Sequence, residues 1–106
     1  MTSSPLPDIN LSPHDWSEVS RILEAIVPEY EVWVFGSRAT RTAKPYSDLD
    51  LAIITEERLP LATMADLTTA FDESDLVVKV DVVDWAATSE TFREIIRKTA
   101  VVVKKM

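Results

Sequence analysis

The chain contains no cysteine and a single glycine in 106 residues. Without cysteine it has no disulfide and no thiolate metal site, and an intracellular setting is permitted. No apolar run approaches the roughly 20 residues needed to span a bilayer, and Met1 to Asn10 lacks the basic start and apolar stretch of a secretory leader. No membrane association is expected, and the reading is cytoplasmic. Positive charge is also scarce: 11 Lys and Arg stand against 18 Asp and Glu, a formal charge of -7. A balance of that sign opposes coating of a phosphate backbone, so no direct nucleic-acid binding is expected. The scarcity of glycine gives weight to the one present, Gly36.

What is there suits a small folded protein, with 46% hydrophobic and 27% charged residues. Folding at this length hides roughly 65% of the unfolded surface, enough for one core and not two. Residues 1–11, with Pro5 and Pro7, read as a loose arm and 12–106 as a single domain. Ser12-Pro13-His14-Asp15 reads as a helix start, with Ser12 as N-cap, Pro13 in the first turn and Asp15 at the positive end of the dipole. Trp16, Val19, Leu23 and Ile26 recur at helical spacing, and Pro28 ends the helix. Glu31 to Phe35 reads as a strand, and Ser37 to about Ala43 as a helical turn before Lys44-Pro45-Tyr46 breaks the pattern.

A second strand is expected from about Asp48 to Thr55, with Leu49, Leu51 and Ile53 on one face and Asp48, Asp50 and Ala52 on the other. Pro60 to about Asp72 reads as a helix bearing Met64, Leu67 and Phe71. Val77 to Val83 reads as a third strand that places Lys79, Asp81 and Val83 on one face. Ser89 caps a last helix with Phe92, Ile95 and Ile96 on its apolar side and Arg93, Arg97 and Lys98 facing outward. Val101 to Val103 is a short strand or a hydrophobic tail. The order α-β-α-β-α-β-α describes an α/β (α+β) protein, a sheet flanked by helices.

Gly36 closes the run Val32-Trp33-Val34-Phe35, where a glycine permits positive φ or a close approach to the backbone. A turn of that kind can present amides to a phosphate. Ten residues separate Ser37 from Asp48. Asp48 and Asp50 share a strand face, a repulsive pair that a hard divalent cation turns into an attractive one. Asp81 on the next strand can complete the site, and Asp84, flanked by Val83 and Trp85, competes for that position. Asp81 is preferred because it lies within the strand. Arg38, Arg41 and Lys44 form a local basic cluster between the two motifs.

Val34-Phe35-Gly36-Ser37, then Asp48-Leu49-Asp50-Leu51 and later Val80-Asp81-Val82, resembles the polymerase-β-type nucleotidyltransferase superfamily. With Gly36-Ser37-Arg38-Ala39, Ser47 ahead of the acidic pair and a very short chain, the pattern is similar to the minimal nucleotidyltransferases, the MntA-like antitoxins paired with HEPN-domain toxins. The resemblance spans Glu31 to Trp85 and implies a small mixed sheet of the nucleotidyltransferase-like fold. It further implies magnesium-dependent transfer of AMP from ATP to a tyrosine hydroxyl of a cognate HEPN ribonuclease toxin. In that scheme Gly36, Ser37, Arg38 and Ser47 bind nucleotide, Asp48 and Asp50 bind two Mg²⁺ ions, and Asp81 completes the metal site and helps to deprotonate the acceptor. The loop from Arg41 to Tyr46 departs from the family pattern in having no glycine.

The chain ends soon after the last helix, so an acceptor-bearing partner is expected, with Trp16, Trp33, Trp85 and Val101 to Val103 as candidate contacts. The alternatives are a non-catalytic antitoxin that blocks its partner by binding, and a small-molecule nucleotidyltransferase of the aminoglycoside-modifying type.

Overall fold

The computed structural model describes residues 6–105, so residues 1–5 of the expected arm lie outside the described residues. Helix α1 (Pro13–Ile26) starts where Ser12 Oγ accepts the Asp15 N–H at 3.1 Å. This is the capping interaction that the local sequence implies. Trp16, Val19, Ile22 and Leu23 form its buried stripe. The helix stops at Val27, just before Pro28, and strand β1 (Glu31–Phe35) follows.

Gly36 leads into the short helix α2 (Ser37–Thr40), which ends earlier than the spacing suggests because Arg41 takes φ +62. Strand β2 (Leu49–Ile54), helix α3 (Leu61–Asp72) and strand β3 (Val80–Asp84) come next. One 3-10 turn at Trp85–Ala87 leads to helix α4 (Glu90–Thr99) and strand β4 (Val101–Lys104). The C-terminal valines are thus a strand, one element beyond the expected order.

The sheet is mixed, in the order β3-β2-β1-β4. β1 runs antiparallel to β2 and to β4, while β2 and β3 are parallel. Strand alternation sends Val32, Val34, Leu49, Leu51 and Ile53 to one face, where they meet the apolar stripes of α1 and α3. The other face carries Phe35 and Ala52 against Ile96 of α4, with Trp33, Val83 and Trp85 around them. Lys104 secures the edge, its Nζ donating to the carbonyls of Pro28 at 2.7 Å and Tyr30 at 2.8 Å.

Several local expectations change on folding. Ile9 and Leu11 are buried in the core, so the end of the segment read as loose is packed. β3 begins at Val80 instead of Val77, because its ladder starts only where Leu49 of β2 supplies a partner. Val77, outside it, is 73% exposed. Trp16 is a core residue and not a surface contact. Arg93 folds back instead of facing outward: its Nε and Nη2 donate to the Trp85 carbonyl at 3.1 and 2.9 Å. Arg93 and Arg97 lie over the Trp85 ring, 5.3 and 5.1 Å from its centroid, and Trp33 meets the same ring edge-on at 5.2 Å. Of the apolar residues expected inside α4, only Ile96 is buried, whereas Phe92 is 36% and Ile95 52% exposed.

Candidate active site

β1 ends where β2 and β3 begin, so the topology gathers the sequence motifs at one edge of the sheet. Phe35 is the Cα partner of Asp50, and Asp50 is in turn the partner of Asp81. Directly opposed residues on neighbouring strands project to the same face, so Asp50 and Asp81 are neighbours on the face that carries α4. Asp48 is exposed just ahead of β2. Burial pushes the Asp50 carboxyl above its ordinary pKa, and the charges of Asp81 and Asp48 push it in the same direction. Asp50 therefore feels the charges of both Asp81 and Asp48.

Gly36 has φ +77, and a Cβ there would lie 2.6 Å from Asp50 Oδ2. The glycine thus serves both a left-handed backbone and the close seating of a carboxylate against the turn. Ser37 follows it, and its hydroxyl has no hydrogen-bond partner among the described residues. The Gly36 N–H donates to Thr99 Oγ1 at 3.0 Å. No local sequence signal marked Thr99, because its relation to Gly36 is created by strand pairing.

Arg38 is buried, and its guanidinium is committed to main-chain carbonyls. Nη1 donates to Asn10 at 2.6 Å, Nη2 to Pro45 at 3.2 Å and to Ser47 at 2.9 Å, and Nε to Ser47 at 3.1 Å. The Arg38 donors thus hold the N-terminal segment and the loop before Asp48. Ser47 Oγ accepts the Lys44 N–H at 2.9 Å and so braces the same loop. Arg41 turns away to Asp8 and the Ile9 carbonyl, both at 3.1 Å. It also adopts the left-handed conformation that a glycine would ordinarily supply in this loop. Arg38 and Arg41 of the expected basic cluster are thus both engaged with the segment from Asp8 to Asn10.

Arg38→Met leaves these carbonyls without their donor. The nucleotide-free protein is expected to lose about 2 kcal/mol of stability and roughly 10 °C in Tm, measured by thermal melting. A side chain that touched only nucleotide would leave that Tm unchanged.

Asp84 is separated from the carboxylate edge by three positions along β3. Its Oδ1 accepts from Thr55 Oγ1 at 2.6 Å and from the Ala86 N–H at 3.2 Å, and Oδ2 accepts from the Leu59 N–H at 2.7 Å. Both oxygens are engaged in bracing the chain after β2 and β3. Asp81, beside Asp50, carries only a distant exposed partner, Lys79 Nζ at 3.9 Å.

Among the described residues no three acidic or imidazole side chains form a ready-made metal cage. The donor set nevertheless suits a hard divalent cation: all are carboxylate oxygens, and Asp50 is disfavoured as an anion by burial first and then by Asp81 and Asp48. Asp48 is exposed and Asp81 half-exposed at this edge, and a cleft of about 730 Å³ at the opposite end of β2, lined by Glu31, Glu56, Glu57 and Trp85, contains none of the three aspartates.

A glycine turn and facing aspartates thus stand at one end of a small mixed sheet. The polymerase beta nucleotidyltransferase family matches residues 22–106, and the chain belongs to it. It is 52% identical over 97 residues to the probable protein adenylyltransferase MntA of Haemophilus influenzae, a match covering 92% of this chain and 85% of that protein. A crystal structure of a toxin-antitoxin with AMP-PNP has a similar fold, with a TM-score of 0.70 at 21% identity over 84% of this chain and 72% of that one. A tri-AMPylated Shewanella oneidensis HEPN toxin in complex with MNT antitoxin gives a TM-score of 0.65 at 17% identity, covering 88% of this chain and 71% of that one. No helix of the described residues is long and apolar enough to cross a membrane.

Proposed function

We propose that this nucleotidyltransferase is the antitoxin of a two-component pair in the cytoplasm, where it silences a cognate HEPN ribonuclease toxin by transferring AMP from ATP to a tyrosine hydroxyl. The observation that carries this reading is the register of Asp50 with Asp81, beside a glycine that exists to seat Asp50 against the turn. Kinship with a probable protein adenylyltransferase supports the choice of a protein acceptor.

In this reading the Gly36-Ser37 turn holds the nucleotide phosphates, and the half-buried Ser37 hydroxyl donates to them. Asp48 and Asp50 would hold two Mg²⁺ ions, with Asp81 completing the site, and these would neutralise the phosphate oxygens and polarise the α-phosphorus. Asp81 accepts the proton of the attacking tyrosine hydroxyl. The tyrosine oxygen forms a bond to the α-phosphorus, the bond from that phosphorus to the α–β bridging oxygen breaks, and pyrophosphate leaves. The exposure of Asp48 and Asp81 leaves this edge accessible to an acceptor carried by a second protein.

The direct test is incubation with labelled ATP, Mg²⁺ and the cognate HEPN protein, followed by mass spectrometry of the modified partner. An AMP adduct on tyrosine is expected, and a partner left unmodified would overturn the reading. Binding also has a thermal signature. Millimolar Mg-ATP is expected to raise Tm, since a ligand at 100 times its Kd adds about 2.7 kcal/mol to the folded state. An unchanged melting curve would remove the nucleotide site from this edge.

A further inference from the structure

Gly36 is held from the far end of the chain. Its N–H donates to Thr99 Oγ1, a contact across 63 residues. Val34 pairs with Val101 in the antiparallel β1–β4 ladder, and the same register carried two residues further places Thr99 opposite Gly36. A strand carbonyl would normally accept the Gly36 N–H at such a position. Thr99, however, is the last residue of α4, so its backbone is helical and the ladder stops. Its side chain supplies the missing acceptor.

This contact is well placed to transmit order. Ala100, with φ -62 and ψ 138, carries the chain from α4 directly into β4, leaving no loop between the helix end and the sheet. Ile96, one turn before the helix end, is fully buried against the same sheet face, which fixes the height and rotation of α4. The Thr99 hydroxyl is therefore mounted on two packed elements. On the other side of Gly36 stands Asp50, close enough that a methyl group would not fit between them.

We infer that Thr99 is a positioning residue of the nucleotide site: its hydroxyl fixes the orientation of the Gly36 peptide and thereby aligns the phosphate-holding turn with the Asp50 carboxylate. The inference rests on the proposed role of the Gly36-Ser37 turn. Thr99 touches no reacting atom in this scheme. It acts through the peptide plane of Gly36, a residue whose φ of +77 makes its orientation depend on tertiary contacts. A looser turn weakens the grip on nucleotide before it alters the carboxylates, so the effect belongs in KM for ATP and not in kcat at saturation.

Thr99→Val keeps the shape and β-branching while removing the acceptor, and Thr99→Ser keeps the acceptor. Thr99→Val is expected to raise KM for ATP and the calorimetric Kd of Mg-ATP roughly tenfold, with kcat within about twofold of the parent. Thr99→Ser is expected to recover most of that loss. Thr99→Ala serves the same purpose if valine disturbs the helix end, and affinity is counted per folded molecule. Unchanged ATP affinity in Thr99→Val, or equal loss in Val and Ser, would overturn the inference.

Gly36→Ala separates this inference from the reading beneath it. If Gly36→Ala loses affinity while Thr99→Val keeps it, the turn holds phosphate and only the role of Thr99 is wrong. If folded Gly36→Ala binds Mg-ATP as the parent does, the phosphate turn fails and the role of Thr99 fails with it.

Discussion

Replacement of Asp48 and Asp50 together by Asn is expected to reduce AMP transfer by at least about 10³-fold, because in the proposed scheme these carboxylates anchor several kcal/mol of charge stabilisation at the phosphates. Label transfer to the cognate HEPN protein is the measurement. Protection from the toxin that survives the double replacement would show neutralisation by contact instead of catalysis.

Stability should move the other way in the single variant Asp50→Asn. Burial first, then Asp81 and Asp48, raise the Asp50 pKa in the folded protein. The ionised carboxylate is therefore less favourable folded than unfolded. Its contribution is present below the unfolded pKa and is lost as the pH rises through the folded one. In chelator, without nucleotide, Asp50→Asn is expected to melt above the parent at neutral pH and to converge with it in acid. A variant less stable than the parent at neutral pH would refute this account of Asp50. Opposite signs on activity and stability are what a site built from repelling charges produces.

The second large effect is at Gly36. Gly36→Val forces a β-branched residue into φ +77 and drives its Cβ to within 2.6 Å of Asp50 Oδ2. The left-handed strain costs about 1–3 kcal/mol, with a fall in Tm of roughly 5–15 °C. The carboxylate can swing away at little further cost to folding, but it then leaves the position from which it would bind metal. AMP transfer is therefore expected to fall at least about 100-fold in the molecules that remain folded, as in other cases where a displacement of about 1 Å misaligns a site. Thermal melting alongside Mg-ATP calorimetry checks both effects. Full ATP affinity and activity in the folded fraction would reduce Gly36 to a turn former.

Much of the scaffold was legible because it is encoded locally. Ser12 and Ser89 cap α1 and α4 through their own neighbours, as their position before a helical apolar pattern implies. Strand alternation in Leu49–Ile54 also assigned Asp50 to the face opposite Leu51 without reference to any other element. Helix α4 shows the limit of that logic. Its apolar pattern marks an amphipathic helix, but how much of that face is covered depends on how it sits on the sheet, and Phe92 and Ile95 remain partly exposed.

The chemical reading of individual residues was less legible, for a related reason. Nothing in the sequence around Arg38 shows that its guanidinium is buried, and only the fold brings the carbonyls of Asn10, Pro45 and Ser47 to it. Asp81 and Asp84 have similar neighbours along the chain. They differ in what faces them: Asp84 meets Thr55 and the Leu59 and Ala86 amides, while Asp81 meets Asp50.

The amino-acid sequence alone determined most of the elements, the Ser12 and Ser89 caps, and the spacing of one glycine and two aspartates that points to nucleotidyl transfer, since each depends on residues a few positions apart. Strand register, the distance between Gly36 and Asp50, the clamp at Arg38 and the bond from Thr99 were decided only by the tertiary structure. These are contacts between residues distant along the chain, and they exist only once the packed helices and the four-stranded sheet have brought those segments together.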